Sequence, residues 1–197
     1  MIKTTLTDFF QFVKNPDDRQ IEINFNDKLR FISILFIATV VTTFAVILPL
    51  WDLIDNLLNL VPSIDVDNLS FWHSFLLFVI IVPFAEELIF RHFLRYQGIK
   101  TSIIKCQQWR KIFPFLVYLS AVSFGFIHLT NYTNGSNWFY ILSPFVILSQ
   151  LLGGFTIAYI RVRLNFLWGV FFHWTWNFLF IIAVPALEDF LKIVFHN

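Results

Sequence analysis

The stretch PFAEELIFRHFLR, residues 83–95, places two adjacent glutamates and an arginine at the end of an apolar segment. The segment before it, FWHSFLLFVIIV, contains no Asp, Glu, Lys or Arg. A run of this length and hydropathy predicts a membrane-spanning helix, in which charged side chains are costly and face a protein interior or a wet cavity. Glu86, Glu87 and Arg91 are therefore candidate functional residues.

The cost of inserting the two glutamates nearly equals the gain from the apolar residues around them. Residues 71–90 contain 13 Leu, Ile, Phe and Val residues, which favour insertion by about 4 to 8 kcal/mol, whereas two central acidic side chains cost about 5 to 7 kcal/mol. Glu87 and Arg91 share a helix face and can form an ion pair, while Glu86 points about 100° away. The alternative is that both acids are solvated at the inner membrane boundary, beside Arg91 and Arg95.

The composition is that of a membrane protein. Of the 197 residues, 57% are hydrophobic and 14% are charged, a balance typical of integral membrane proteins. Apolar runs of about 18 or more residues predict five transmembrane helices, so the predicted fold class is an all-α, polytopic membrane helix bundle. The predicted spans are residues 31–51, 71–90, 112–129, 138–160 and 164–187.

The spans divide the chain into a cytoplasmic N-terminal segment (1–30), a transmembrane domain (31–187) and a C-terminal tail (188–197). The N-terminal segment has no basic region followed by an apolar region, so we do not expect a cleaved signal peptide. Within it, TLTDFFQFVKNPDD clusters Phe and Val residues in a pattern typical of an amphipathic helix. This helix lies on the inner membrane surface or, alternatively, the stretch is a frayed tail.

Two further sets of polar residues interrupt apolar spans. VSFGFIHLTNY places His128 near the end of the third span, one helical turn after Phe124. LWGVFFHWTWNFLF places His173 and Asn177 four residues apart, on one face of the fifth span. Two hydrogen-bonding side chains on one face favour a shared cavity. The alternative for His128 is a single histidine whose hydrogen bonds are satisfied within the bundle. The alternative for His173 and Asn177 is a polar contact that holds two helices together.

Taken in order, E-E-x-x-x-R, F-x-x-x-H and H-x-x-x-N on separate spans resemble the three motifs of the CPBP family. This is the CAAX protease and bacteriocin-processing group, also called Abi, which includes the type II CAAX prenyl endopeptidases. The matching region is residues 83–177, and the order of the motifs makes the resemblance specific. It implies an intramembrane endopeptidase with a four-helix catalytic core, in which Glu87 and Arg91 form a structural ion pair.

The resemblance also implies catalytic roles. Glu86 with His128 would activate a water molecule, and His173 with Asn177 would stabilise the tetrahedral oxyanion. Glu86, His128 and His173 could instead bind a divalent metal such as zinc, leaving a fourth position for water. The sequence lacks the H-E-x-x-H motif of zincins, and it leaves the metal-dependent and metal-free mechanisms open.

The expected heights of the catalytic residues in the bundle disagree. If the second helix continues to Tyr96, Glu86 lies about 15 Å from the inner end of that helix. If the third helix starts at Ile112, His128 lies about 24 Å from the inner end of the third helix. The two side chains meet only if the helix limits or tilts differ from these values. A break or tilt around residues 123–125 would lower His128 towards the glutamate.

Other functions fit the sequence less well. The sequence contains no G-x-S-x-G motif and no aspartate within a predicted span. It therefore does not support a serine or an aspartyl protease. A transporter or proton relay would explain the intramembrane charges, but the chain has no internal repeat. A non-catalytic bacteriocin-immunity or scaffold protein could retain the same motifs and stays open.

The expected partners follow from the same observations. A net charge of +1 without a basic face argues against nucleic acid, and a single cysteine, Cys106, excludes an intrachain disulfide. We expect membrane lipid and a peptide or protein substrate, with lipidated and membrane-embedded substrates as candidates.

The distribution of basic residues predicts the orientation of the chain. The positive-inside rule places the N-terminus in the cytoplasm and the C-terminus outside, and we expect the protein in a bacterial cytoplasmic membrane. Lys and Arg number five in residues 1–30, none in 51–70, six in 91–111, none in 130–137, two in 161–163 and one after 187.

Reporter fusions test this topology. Fusions after Arg30, near Lys105 and near Arg163 should read as cytoplasmic, and fusions near Asp65 and Asn134 as external, because the basic loops stay inside. Paired alkaline phosphatase and fluorescent-protein reporters measure the two sides. A cytoplasmic signal at Asp65 would overturn the orientation.

Overall fold

The structure is a computed structural model that describes residues 2–63, 69–97 and 100–195. Within these ranges the chain is helical apart from its connecting segments, which confirms the all-α fold class. Five of the described helices are long and apolar enough to cross a membrane, as predicted. Together with an N-terminal helix, the main helices are α1 (Ile2–Lys14), α2 (Phe25–Leu58), α3 (Phe71–Phe90), α4 (Cys106–Asn131), α5 (Asn137–Arg163) and α6 (Phe166–Leu187).

Helix α2 extends beyond its predicted span at both ends. The Asn24 side chain accepts a hydrogen bond from the backbone N–H of Asp27 and caps the N-terminus, and Asn59 in the left-handed conformation ends the helix. The predicted span 31–51 contains no aspartate, and the extensions of the helix beyond it add Asp27, Asp52 and Asp55. Capping residues, rather than the edge of the apolar run, set the length of this helix.

The C-terminal tail predicted at 188–197 is helical in its described part. A helix over Val184–Phe195 continues α6 beyond the predicted boundary. Residues 196 and 197 lie outside the described residues, as does Asp65, which the topology prediction uses. Cys106 is a free, exposed cysteine at the start of α4.

Helices α2, α3 and α6 each contain a π-helical segment shortly before a proline. Proline lacks a backbone N–H, and its ring clashes with the carbonyl four residues earlier, so a regular α-helix cannot continue unchanged. The wider π turn accommodates the proline and frees backbone carbonyls for other partners. The segments and prolines are Thr43–Ile47 with Pro49, Phe75–Ile81 with Pro83 and Leu179–Ala183 with Pro185.

Helix α5 is the most buried element, because every residue from Thr156 to Arg163 is buried. Gly154 allows its close approach to α4, since a Cβ atom there would lie 3.2 Å from the Cα atom of Ala121. Helix α5 therefore forms the centre of the bundle. The core around it includes Phe12, Phe31, Leu35, Trp109, Phe113, Tyr159 and Ile160.

Helix α1 packs on this core through one side of its phenylalanine cluster. Phe12 is fully buried and Phe9 nearly so, and their rings lie 5.3 and 5.4 Å from the ring of Tyr159. Phe10 is 60% exposed. The predicted amphipathic helix thus divides its aromatic residues between the protein and the outside, and its contact with the membrane surface stays a prediction.

Arg163, at the end of α5, connects the bundle to the N-terminal segment. Its side chain is 1% exposed, and its guanidinium donates to Asp8 Oδ2 at 2.8 Å and to Asp17 Oδ1 at 3.0 Å. It also donates to the backbone carbonyls of Asp17 and Arg19. The sequence analysis counted Arg163 among the basic residues between two predicted spans, whereas its side chain is buried among acceptors from the N-terminal segment.

These contacts shift the pKa of both aspartates. Burial alone would raise the pKa of the Asp8 and Asp17 carboxyls, but the hydrogen bonds and positive charges of Arg163 and Arg19 outweigh it. The pKa of each carboxyl therefore lies below its usual value, since a hydrogen-bonded cation favours the ionised form.

The contribution of Arg163 to stability should depend on pH. Because the folded-state pKa values of Asp8 and Asp17 are depressed, the pairs stabilise the fold above about pH 4, the unfolded value, and lose this effect as pH falls through the folded values. Arg163→Met should cost about 1.5 to 3 kcal/mol at pH 7 and less at low pH. Thermal unfolding in detergent across pH measures the difference, with Lys3→Met as a control. An equal loss at every pH would contradict the pairing.

Candidate active site

Glu86 lies near the end of α3, one turn before the helix stops at Phe90. The sequence analysis considered a helix that continues to Tyr96, but the helix ends before that residue. The Ser120 hydroxyl of α4 donates to the carbonyl of Phe90 at 2.6 Å. The end of α3 therefore lies beside the middle of α4 rather than beside its start, and α4 is continuous α-helix through residues 123–125.

His128 follows the last α-helical turn of α4 and begins a 3₁₀ segment. Its Nδ1 atom is 2.7 Å from the carbonyl oxygen of Phe124, one turn earlier. Its Nε2 atom lies 3.8 Å from Glu86 Oε1. The F-x-x-x-H spacing therefore fixes the ring through Nδ1 and leaves Nε2 directed at the glutamate.

His173, on α6, lies between the two adjacent glutamates. Its Nε2 atom is 3.5 Å from Glu86 Oε2, and its Nδ1 atom is 2.9 Å from Glu87 Oε1. The imidazole is buried, with 4% of its surface exposed. Glu87 thus contacts a second motif of the sequence, a contact that the sequence analysis did not identify.

Glu87 and Arg91 form the ion pair that their spacing allows. Glu87 Oε1 and Arg91 Nη1 are 2.9 Å apart, and both side chains are buried. The Arg91 guanidinium also lies 3.7 Å from the centre of the Phe124 ring, a cation–π contact. The Phe124 ring packs in turn against His128 and His173. This cluster joins all three sequence motifs.

Arg161 supports the same cluster from α5. Its guanidinium donates to the backbone carbonyls of Arg91 and His92 at 3.3 and 3.2 Å. These carbonyls follow the end of α3, where backbone acceptors lack helical partners. The sequence analysis did not select Arg161, because a base at the end of an apolar run has the same pattern as a loop residue.

Asn177 lies one turn after His173 on α6. Its Nδ2 donates to the carbonyl of Phe78 at 2.8 Å, and Trp174 Nε1 donates to the carbonyl of Ile80 at 3.0 Å. Both carbonyls belong to the π-helical segment of α3. The distorted part of α3 therefore supplies acceptors that align α6, and Asn177 retains a second amide N–H.

A cavity of about 690 Å³ adjoins these residues, and Glu86, His128, His173 and Asn177 all line it. The connections after α2 and α4 pair across one end, where Ser63 N donates to the carbonyl of Asn131 at 2.8 Å. The remaining walls are mainly aromatic and aliphatic, with a few polar groups. They include Trp51, Tyr132, Gln150, Gly153, Trp176 and Phe180.

The hydrogen-bond partners assign the imidazole tautomers. The Phe124 carbonyl and the ion-paired Glu87 carboxylate only accept, so Nδ1 carries a proton in both His128 and His173. In a neutral imidazole Nε2 is then an acceptor, and both Nε2 atoms face oxygens of Glu86. The site therefore needs a further proton, or a donor such as water, among these three groups.

The predicted metal-binding residues lie together without the geometry of a metal site. Glu86, His128 and His173 converge, but no group of three His, Cys, Asp or Glu side chains within residues 2–63, 69–97 and 100–195 has an arrangement that could hold a metal ion. We therefore derive no step through a metal.

Comparison with known protein families identifies the family of the chain. A family model described as type II CAAX prenyl endopeptidase Rce1-like matches residues 68–179, more than half of the chain. The chain belongs to this family. Membership in the Rce1-like family confirms the resemblance found in the motifs and indicates a peptidase embedded in the membrane. No curated protein and no solved structure matches the chain.

The buried ion pair of this Rce1-like protein should be strongly coupled. Glu87→Gln or Arg91→Met leaves one buried charge without its partner, which typically costs about 3 to 5 kcal/mol. The double variant should cost less than the sum of the single variants. Thermal unfolding of all four proteins in detergent measures the coupling. Strict additivity would show that the two side chains do not stabilise each other.

Proposed function

We propose that the protein is an intramembrane endopeptidase in which Glu86 and His128 activate a water molecule. One observation carries this proposal: the Nε2 atoms of His128 and His173 both face the Glu86 carboxylate, while each Nδ1 is occupied by an acceptor. With the further proton on His173 Nε2, two acceptors remain, the Glu86 carboxylate and His128 Nε2, and one water molecule supplies a donor to each.

The gap between Glu86 and His128 suits such a water. Their nearest polar atoms are 3.8 Å apart, beyond the length of a direct hydrogen bond and in the range where a bridging water is expected. Glu86 takes a proton from this water, and the resulting hydroxide attacks the peptide carbonyl. His128 orients the water through its Nε2 atom. The proton is then available for the departing amine.

In the proposed mechanism, His173 and Asn177 stabilise the oxyanion. His173 carries the further proton of the site on Nε2, so it donates Nδ1–H to Glu87 and Nε2–H to the developing negative charge. The Asn177 N–H that does not bind the Phe78 carbonyl can provide a second hydrogen bond. Donors held in a water-poor cavity are most effective at a charge that forms only in the transition state.

The proposed substrate is a peptide with an apolar segment, which enters the cavity from the bilayer. The cavity walls are mainly aromatic and aliphatic, which suits an apolar segment. The family description makes prenylated C-terminal peptides an informative substrate class to test beside unmodified ones. We further propose a cytoplasmic N-terminus, on the distribution of basic residues.

Cleavage by variants of the purified protein tests the mechanism. Glu86→Gln preserves shape but cannot act as a base, so turnover of internally quenched peptides should fall by about 10² to 10⁴-fold. His128→Ala should fall similarly. Asn177→Ala should retain activity about 10² to 10³-fold below the wild type. The peptides carry an apolar segment, with and without a prenylated cysteine.

Controls separate catalysis from folding and from metal dependence. Trp174→Phe removes the neighbouring hydrogen bond between α6 and α3 but leaves the Asn177 bond and every group of the site, so it should lower turnover far less than Asn177→Ala does. Turnover by Glu86→Gln at the wild-type rate would contradict the mechanism. Loss of activity with a chelator and its recovery with zinc would favour a metal-dependent reaction. Absence of cleavage in all proteins would favour an immunity or scaffold role.

A further inference from the structure

The wall of the cavity formed by α5 contains polar and open positions that the proposed mechanism does not use. Gln150 and Gly153 both line the cavity with Glu86 and His173. They are three residues apart on a helix and therefore lie on the same face. Helix α5 restarts at Leu148 after an irregular residue, Ile147, which places Gln150 in the first turn of its long second part.

The Gln150 side chain has an unused acceptor. Its Oε1 atom is buried and has no hydrogen-bond partner among the residues that the structure describes. A buried carbonyl oxygen without a partner is unfavourable and uncommon in folded proteins. The amide nitrogen of Gln150 is not among the buried atoms without a partner, so a half-turn of the amide brings Oε1 to the accessible position, where an N–H group of a bound molecule would satisfy it.

Gly153 leaves room that the fold does not need. A Cβ atom at Gly153 would meet no heavy atom within 4 Å, whereas a Cβ atom at Gly154 would lie 3.2 Å from the Ala121 backbone. Close packing therefore explains Gly154 but not Gly153. Alanine would fit at Gly153 and would favour the helix more than glycine does. The open position lets another backbone approach α5 from the cavity.

We propose that Gln150 and Gly153 form a docking wall for the backbone of the peptide substrate. The peptide lies along α5, one of its N–H groups donates to Gln150 Oε1, and the missing side chain at Gly153 admits its main chain. A peptide fits this wall because each of its residues except proline supplies an N–H group. This inference rests on the proposed function, since it names how the substrate of the same site is held.

Peptide binding to the inactive Glu86→Gln protein tests the wall without requiring cleavage. The probe is a fluorescein-labelled pool of ten-residue peptides with an apolar half, in detergent micelles, and then the member of the pool that binds most tightly. Gln150→Leu in this background should raise Kd about two- to tenfold, the usual effect of one hydrogen bond. Gly153→Ala should also raise Kd while the thermal midpoint stays equal or increases. In the active protein, both changes should raise KM and leave kcat unchanged.

Matched controls outside the cavity isolate the effect. Gly135→Ala makes the same substitution at another glycine with open space, and Gln107→Leu makes the same change at an exposed glutamine. Both should leave Kd unchanged. N-methylation of the probe at each backbone position adds a direct readout. At one position, methylation should weaken binding to the Gln150 protein and have no effect on binding to Gln150→Leu.

The outcomes separate this inference from the proposed function. Unchanged Kd in Gln150→Leu and Gly153→Ala, with cleavage by the active protein intact, would overturn the docking wall alone. Binding that depends on Gln150 without any cleavage would overturn the proposed catalysis and support the wall. Failure of every peptide in the pool to bind, or N-methylation effects that are identical with and without Gln150, would also overturn the wall.

Discussion

A single buried carboxylate oxygen, Glu87 Oε1, holds the site together. It lies 2.9 Å from both Arg91 Nη1 and His173 Nδ1, so it connects the end of α3 to α6. A charge shielded from water needs such partners, since an unpaired buried ion is strongly unfavourable. The adjacent residue, Glu86, depends on this arrangement because both side chains extend from neighbouring residues of one helix, about 100° apart. The partnered acid thus allows the second acid to face the cavity.

The prolines of the transmembrane helices contribute to the site at a distance. Pro83 disrupts regular hydrogen bonding in α3, and the π-helical segment before it offers the carbonyls of Phe78 and Ile80. Asn177 and Trp174 on α6 bind those carbonyls. A distortion of the backbone is therefore used to align two helices, and the register of His173 depends on it.

Helix α5 both holds the bundle together and lines the cavity. Arg161 and Arg163 at its end bind the end of α3 and the N-terminal segment, respectively, so the bundle is tied together where both guanidinium groups find acceptors. Gly154 packs against α4, whereas Gly153, one residue away, is open. The helix has a closed face that stabilises the bundle and an open face towards the cavity.

The sequence by itself determined the fold class, the approximate spans and the family, because hydropathy and motif spacing are local properties of the chain. It also selected Glu86, His128, His173 and Asn177 as candidates. It did not reveal the contact of Glu87 with His173, the burial of Arg161 or the partner of Asn177, since these join residues about 70 to 100 positions apart. Only the tertiary structure decided them, because helix ends and proline distortions set which side chains meet at one height.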